Sequence, residues 1–468
     1  MIAFFALLVF VVFIAWLVVR DCMRRPTVSA AVWIPIFLLL ILGSRPISLW
    51  LSGGGGYIGE MGNEVAANPF DQLFYLVVIA GSFLIASMRG VKWQRLFATN
   101  PVIMLFYTYF LISVMWSGDP SGSLKRLLKD FGLLFVISVL YSEKNPMQAI
   151  RAVFLRCAFV LIPLSVVFVK FFPQYSKAYS IGGNQMVTGV TTQKNSLGEI
   201  ILIFTLFMVW DQLETMRPGV RSWWRQVPWE RVVILLMGIW LLNLSQSKTA
   251  LLCTLVGAFL IARTGWFASR TVSRAALSGA ISLPFLVFFS QQFSSVVAPL
   301  IQALGRDMTF TGRTNIWQHV TLQTVNPLIG SGYWNFWGGP GGAAINRQMD
   351  TIVPNAHNGY VDIYLDGGFV GIALLFLVLI VCGRRIVSKQ KGSREEKLYR
   401  RVRLSVLVVA VIYNLSESTF ARMGPMWFTT MLMIVEFPAE ALVRKIRPTA
   451  RKESDTLRFQ KFTDVATL

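Results

Sequence analysis

The stretch Met1–Val19, MIAFFALLVFVVFIAWLVV, is apolar at every position and runs directly into Arg20. A helix needs roughly 20 such residues to cross the hydrocarbon core of a bilayer. A secretory signal peptide has a shorter apolar region that ends at a small-residue cleavage site. Here the apolar run is longer and is followed by the basic residues Arg20, Arg24 and Arg25. The stretch therefore predicts a first membrane-spanning helix.

Similar apolar runs recur along all 468 residues, of which 54% are hydrophobic, and the mean hydropathy is +0.57. A soluble protein rarely has this composition. The runs predict an all-α integral membrane protein with about twelve to thirteen spanning helices. The predicted spans are 1–19, 29–51, 70–88, 101–116, 127–141, 150–172, 196–210, 230–244, 249–262, 275–290, 368–382, 403–416 and 425–443.

The net charge of +21 is distributed unevenly between the loops. Basic clusters fall in alternate loops, and the positive-inside rule assigns those loops to the cytoplasm. We therefore expect a periplasmic N-terminus, a cytoplasmic C-terminus and attraction to anionic membrane lipids, with no binding of nucleic acid. The clusters lie around residues 20–25, 89–95, 144–151, 217–231, 263–274, 384–403 and after 443.

The spacing of the spans divides the chain into five parts. The helix at 1–19 precedes a bundle of about nine helices at 29–290, and residues 291–367 form a long periplasmic loop. The spans within 368–443 follow, and 444–468 form a cytoplasmic tail. The long loop is the expected place for chemistry because it holds most of the polar motifs.

No cofactor or metal is expected from the sequence. The four cysteines stand singly, and two histidines are too few for a histidine-rich zinc site. The chain has no Walker loop and no glycine-rich dinucleotide fingerprint. Energy must therefore come from a preactivated substrate or from a gradient.

The long loop contains two short segments with helical patterns. In the first, Ile316, Val320 and Gln323 share one face, which predicts an amphipathic helix whose apolar side lies on the membrane surface or on the bundle. His319 on this helix is interpreted as a surface or capping residue. Trp334 and Trp337 follow in a glycine-rich stretch and suit the depth of the lipid headgroups.

In the second segment, Asn355 is predicted to cap a helix on which His357, Val361 and Tyr364 share a face. Gly367 and the glycine after it are predicted to end that helix before the next span. A histidine in this position is the natural proton acceptor for a hydroxyl nucleophile at neutral pH.

Several cations remain on the outer side against the topological bias. A cation near apolar surface is costly unless it meets an anion. Structural ion pairs with acids such as Asp119, Asp130, Glu199 and Glu417 are one explanation, and binding of a phosphate group is the other. The cations at helix ends or in the long loop are Arg126, Lys194, Lys248 and Arg313.

Five motifs occur in an order that resembles the superfamily of O-antigen ligases and Wzy-type polysaccharide polymerases. The resemblance covers most of the chain, and its most specific part is the 312–372 region, where nine residues separate His357 from Gly367. The motifs are TTQKNSLGE at 191–199, SQSKTA at 245–250, GRTNIW at 312–317, PLIGSGYWNF at 327–336 and AHNGYVDIYLDGGFVGI at 356–372.

The resemblance implies a GT-C-like, metal-independent inverting glycosyltransferase of the bacterial inner membrane. Its donor is a glycan on undecaprenyl diphosphate, its acceptor is a second glycan or the lipid A core, and a chain-length regulator protein is a further expected partner. His357 is implied as the base and Arg313 as a contact of the diphosphate. The other implied residues are Arg126, Lys194 and Lys248 for the diphosphate, with Asn358, Gly312 and Gly367 in support.

Two features depart from the family pattern: Lys248 stands where relatives often have Arg, and the helix at 1–19 is an addition to the usual twelve spans. The motif style favours a polymerase of exopolysaccharide production over an O-antigen ligase acting on lipid A core. A transporter or flippase of lipid-linked sugar is the alternative from another class. The absence of a visible inverted repeat and the concentration of unusual residues in one outer loop disfavour it.

Overall fold

The computed structural model describes residues 1–52, 68–179, 185–216, 227–289, 313–321, 323, 325–349, 351–388 and 392–438. Within these ranges the chain forms α-helices and one hairpin, in which β1 (Lys177–Tyr179) pairs antiparallel with β2 (Gln185–Val187). The helices are α1 Ile2–Arg24, α2 Trp33–Leu42, α3 Ile47–Ser52, α4 Pro69–Met88, α5 Trp93–Thr99, α6 Pro101–Ser113, α7 Pro120–Phe131, α8 Leu133–Tyr141, α9 Pro146–Phe171, α10 Pro173–Ser176, α11 Lys194–Thr215, α12 Trp229–Ser245, α13 Lys248–Ala262, α14 Arg270–Phe289, α15 Arg313–Thr321, α16 Pro340–Met349, α17 Gly359–Ser388, α18 Arg394–Tyr413 and α19 Pro425–Ile434.

Among the described residues, five helices are long and apolar enough to cross a membrane: α1, α4, α9, α11 and α17. Helices α5 and α6 meet at an angle of 97°. Counted together with the 3₁₀ turn that follows α6, they meet the same criterion as one broken span, which would be the sixth. Shorter apolar helices lie beside them. The prediction of an all-α integral membrane protein is confirmed.

Three predicted spans differ from the observed helices. The span expected at 29–51 is two helices, because α2 ends at Leu42, directly before Gly43, and Pro46 precedes α3. The span expected at 127–141 is also divided, and Arg126 lies within the amphipathic helix α7 rather than at the start of a span. The last helix, α19, ends at Ile434, before the predicted 443.

Helices α9 and α11 form the centre of the bundle, and most of their residues are buried inside the protein. Helix α11 packs on α13, where a Cβ on Gly198 would lie only 2.8 Å from the Ser247 Cβ and 3.0 Å from the Ala250 Cβ. This close approach requires glycine. Helix α1, by contrast, packs along α9 at the edge of the bundle and exposes most of its surface.

One end of the bundle collects the basic helix ends that charge counting assigned to the cytoplasm. There the buried Asp211 of α11 lies 2.7 Å from Arg25, 3.4 Å from Arg151 and 2.5 Å from Arg231. Arg25 directly follows α1, and the other two arginines belong to α9 and α12, so a single carboxylate joins four segments of the chain. The motif residues of the long loop lie at the opposite ends of these helices.

Candidate functional site

The described part of the long loop has a small apolar core of its own. Ile316 and Val320 of α15 pack with Phe336, Ile345 of α16 and Leu365 of α17. The predicted amphipathic helix is confirmed at Arg313–Thr321. Its apolar face was expected on the membrane surface or on the bundle. The face packs instead into this cluster, where Ile345 of α16 is an apolar partner.

The turn at 327–332 fits onto the break in α17. Gly368 has φ of 60° and ψ of −159°, which interrupts the helix where the sequence predicted its end. The N–H of Gly332 donates to the Asp366 carbonyl, and a Cβ on Gly330 would lie 2.4 Å from the carbonyl carbon of Asp366. Two backbones therefore meet without a side chain between them, which explains why both segments are rich in glycine. Gly367, named from the resemblance, packs against aromatic rings of α6.

His357 does not lie on a helix, and this part of the prediction was wrong. The helix begins at Gly359, and the Asn358 side chain accepts hydrogen bonds from the N–H groups of Tyr360 and Val361 at 3.0 and 3.3 Å. The predicted cap, Asn355, instead accepts from the N–H of His357 at 2.9 Å. Asn358 is the better placed asparagine for capping, so His357 is left in the turn before the helix.

The imidazole of His357 faces Glu417, with 3.6 Å between Nδ1 and Oε2. This distance is beyond that of a hydrogen bond but within that of an ion pair. His357 remains partly exposed while Glu417 is nearly buried. A carboxylate on the Nδ1 side favours a proton on that nitrogen and leaves Nε2 as the proton acceptor. Such a pair can act as a general base whose imidazole is oriented by the carboxylate.

Asp362, one turn into α17, joins three segments around His357. Its Oδ1 accepts from the Trp337 indole N–H at 2.8 Å and from the Ala356 N–H at 3.1 Å, and its Oδ2 accepts from the Ser418 hydroxyl. The carboxylate is almost fully buried. Since Ala356 directly precedes His357, these bonds fix the turn that carries the imidazole.

The connection between α18 and α19, residues 414–422, runs alongside the first two turns of α17. The N–H of Gly359 donates to the carbonyls of Asn414 and Glu417 at 2.9 and 3.0 Å. Further along, Asp362 meets Ser418 as described, and Asp366 pairs with Arg422 at 2.7 Å. The site is therefore bounded on one side by the start of α17 and on the other by the α18–α19 connection.

Two cations gather around Trp334. The guanidinium carbon of Arg422 lies 4.8 Å from the ring centroid and that of Arg126 lies 5.4 Å from it. Arg126 also donates to the Trp334 carbonyl and lies 4.0 Å from Asp119. Burial lowers the pKa of Arg126, and the nearby charge of Asp119 partly offsets this lowering. The predicted ion pair with Asp119 therefore exists beside a cation–π contact.

Beneath this cluster, Asp130 is fully buried and approached by three donors. Its Oδ2 lies 3.0 Å from the Trp427 indole nitrogen, 3.1 Å from the Tyr107 hydroxyl and 3.2 Å from the Tyr333 hydroxyl. Burial raises the pKa of the Tyr333 phenol well above its usual range, so it stays protonated. Asp130 thereby anchors the loop through Tyr333 and is a structural residue rather than a free anion.

The remaining predicted residues lie at helix starts or outside the description. Lys194 begins α11 and Lys248 begins α13. Next to Lys248, the Thr249 hydroxyl is 2.7 Å from that of Ser416 in the α18–α19 connection. Gly312 and the side chain of Arg313 lie outside the described part of the chain, so their roles stay predictions. Within that part, no three metal-binding side chains cluster.

Sequence reasoning missed the positioning of His357 by Asp362 and the extent of the α18–α19 connection. Glu417 was expected only as one of the acids that could pair with an outer cation. The available signal was the polar run NLSESTFAR at 414–422 between two apolar helices. A polar run of this density at a helix junction indicates buried hydrogen bonding.

The fold and site define a multi-pass membrane protein in which a histidine of the long loop faces a carboxylate of the α18–α19 connection. Residues 232–376 match the family model described as O-antigen ligase, a range that includes Lys248, Arg313 and His357. The chain is also 25% identical over 311 residues to the exopolysaccharide production protein ExoQ of Rhizobium meliloti (strain 1021), covering 64% of this chain and 68% of that protein. Both comparisons support the resemblance of the chain to the superfamily of O-antigen ligases and Wzy-type polysaccharide polymerases.

Proposed function

We propose that the chain is an inner-membrane glycosyltransferase that acts at the periplasmic face. Its donor is a glycan carried on undecaprenyl diphosphate, and its acceptor is the end of a second glycan. The observation that carries the proposal is the His357–Glu417 pair. His357 lies within residues 232–376, which match the O-antigen ligase family model, and Glu417 lies beyond them. The orientation, with the N-terminus in the periplasm and the C-terminus in the cytoplasm, follows from the distribution of basic residues.

In this reaction Nε2 of His357 accepts the proton of an acceptor hydroxyl. The hydroxyl oxygen attacks the anomeric carbon of the donor, the bond from that carbon to the phosphate oxygen breaks, and the anomeric configuration inverts. The diphosphate leaves on the lipid. Glu417 stabilises the imidazolium that forms, as a carboxylate does when it faces the other ring nitrogen.

The departing diphosphate needs fixed positive charge. The proposal assigns this to Arg313 first, with Lys194, Lys248 and Arg126 as further cations. A preorganised donor at developing charge contributes about 3–4 kcal/mol in comparable sites, so loss of Arg313 should reduce turnover by roughly 10² or more. In this scheme these side-chain cations, rather than a metal ion, neutralise the departing diphosphate, and the diphosphate bond of the donor supplies the driving force.

A polymerase is favoured over a ligase. The support is the similarity to a protein whose name refers to exopolysaccharide production. In a strain that lacks the chain, single unpolymerised repeats are expected. Intact free polymer together with bare lipid A core would instead indicate a ligase.

The direct test is reconstitution of the purified full-length chain with a defined undecaprenyl diphosphate glycan and two acceptors, a second lipid-linked glycan and lipid A core oligosaccharide. The parent protein should join glycans, and His357→Asn should lose at least about 10²-fold in turnover. Asparagine is the matched replacement because His357 has a positive φ of 48°, which asparagine tolerates. If the parent only moved the lipid-linked glycan across proteoliposomes without forming a bond, the protein would be a transporter.

A further inference from the structure

The connection between α13 and α14 lies beside α18, in one of the basic segments that charge counting assigned to the cytoplasm. Arg263 directly follows α13, and its Nη2 donates to the Ser273 hydroxyl in the first turn of α14 at 2.7 Å. Arg401 of α18 donates to the Arg263 carbonyl at 2.6 Å. The guanidinium of Arg263 is therefore held where three helices meet.

Arg263 is a buried cation without an acidic partner. The residue is only 5% exposed, and its Nε and Nη1 are buried and make no hydrogen bond to the described part of the chain. No described carboxylate pairs with Arg263 or Arg401. Burial lowers the pKa of Arg263, and the charge of Arg401 lowers it further. A buried charge is costly unless it is paired, so this position favours an anion from outside the chain.

Helix α14 adds positive potential beside this guanidinium. It begins at Arg270, and its first turn has no acidic residue. The N–H groups at the start of a helix carry partial positive charge and stabilise a nearby anion. Arg270 and Arg274 are exposed, and Arg274 directly follows Ser273, which Arg263 contacts. Since Arg401 is only partly buried, the cluster is open to the surface on the side of α18 as well.

The aromatic residues of the same connection place it at the membrane surface. Trp266 is 70% exposed and Phe267 is 52% exposed. Phe267 packs edge-on against Phe259 of α13, with 6.0 Å between the ring centroids. Exposed aromatic residues next to an apolar helix are typical of the depth of the lipid head groups. A phospholipid is therefore the nearest source of an anion for Arg263.

We propose that Arg263, Arg401 and the start of α14 bind the phosphate group of an anionic phospholipid. A guanidinium offers two parallel donors that match phosphate oxygens, and basic pockets between helices bind anionic head groups in this way. A lipid with a net negative charge is preferred to a zwitterionic one, because the ammonium of the latter repels the arginines. The site is separate from the cluster around His357, so it does not rest on the proposed function.

Lipid binding to the purified full-length chain tests the site. Native mass spectrometry compares phosphatidylglycerol with phosphatidylethanolamine of the same acyl chains. The parent protein should prefer phosphatidylglycerol, and Arg263→Gln should weaken its binding about tenfold, or by about 1.4 kcal/mol. The matched control is Arg24→Gln, which removes one charge from another basic segment. Its partner Glu230 keeps Arg20 at 3.2 Å, so binding by this control should stay within about twofold of the parent.

A competition arm separates a lipid from a soluble ligand. Excess inorganic phosphate should leave phosphatidylglycerol bound, and displacement by phosphate would assign the site to a soluble anion and overturn the proposal. Equal binding of the two lipids by the parent, or an equal loss in Arg263→Gln and Arg24→Gln, would also overturn it. If Arg263→Gln did not fold, Arg401→Gln would take its place, because Arg401 is only partly buried. The same tenfold loss is expected for it, and unchanged binding would refute the site.

Discussion

The side chain of His357 depends on an unusual backbone. Its φ of 48° lies in the left-handed region, which costs a residue other than glycine about 1–3 kcal/mol. The N–H of His357 donates to the Asn355 side chain and the N–H of Ala356 donates to the Asp362 carboxylate, and these two bonds hold this conformation. The strain is maintained by groups that surround the imidazole, which is typical of residues placed for function.

Replacing Glu417 with Gln tests whether the carboxylate orients the base. The variant keeps the shape of the side chain and removes its charge, so we expect kcat to fall by at least about tenfold with KM little changed. A change confined to KM would instead mean that Glu417 contacts substrate. Glu436→Gln is a suitable control because it makes the same chemical change away from His357. Glu436 follows α19 and pairs with Arg403 of α18 at 2.7 Å. Its kcat should match that of the parent.

At the scale of elements, the site is an alignment of two segments that are about fifty residues apart in sequence. The start of α17 and the α18–α19 connection meet at Gly359 with Asn414, at Asp362 with Ser418 and at Asp366 with Arg422. Three contacts one turn apart make the alignment rigid. The position of Glu417 relative to His357 follows from it.

Gly359→Ala should disturb this alignment. An added Cβ would lie 2.1 Å from Asn414 Oδ1, which cannot move freely because it accepts hydrogen bonds from the N–H groups of Thr419 and Phe420. Overpacking of this kind costs about 1–3 kcal/mol. We expect a lower thermal midpoint in detergent and reduced transfer. Gly81→Ala adds the same methyl group in open space and should change neither; equal midpoints for the two variants would contradict the contact.

Arg422→Met should destabilise the protein more than most single substitutions. It would leave the buried carboxylate of Asp366 without its partner, and breaking a buried ion pair costs about 3–5 kcal/mol. The double variant Asp366→Asn, Arg422→Met removes both charges and should recover much of the loss. Thermal unfolding of the parent, the single and the double variants measures the coupling. If the double variant were less stable than Arg422→Met, the pairing would not explain the stability.

Local patterns predicted the parts of this site that depend on neighbours in sequence. The periodicity of Ile316 and Val320 indicated α15, and the paired glycines indicated the break at Gly368. The contacts of Glu417 and Arg422 could not be predicted in this way, because their partners belong to another segment and no periodicity relates them. The choice between Asn355 and Asn358 as the helix cap also required the observed hydrogen bonds.

At the scale of the whole molecule, charge separates the two ends of the bundle. The Asp211 cluster joins three arginines from three separate segments at one end, and Arg151 extends it to Glu395 of α18 at 3.7 Å. Among the described cations at the end that holds His357, Arg126 and Arg422 contact Trp334, while Lys194 and Lys248 begin helices. This asymmetry is the basis for placing the candidate site in the periplasm, since dense basic ends remain in the cytoplasm.

Accessibility of single cysteines tests this orientation. In a background with Cys22 replaced by Ser, the remaining native cysteines are buried, so they should react little with a reagent that cannot cross the membrane. Ser121→Cys, exposed on α7 at the His357 end, should be labelled in intact spheroplasts. Ser393→Cys, exposed before α18 at the basic end, should be labelled only after permeabilisation. The reverse pattern would place His357 in the cytoplasm, where a periplasmic acceptor glycan could not reach it, and the proposed reaction would have to be abandoned.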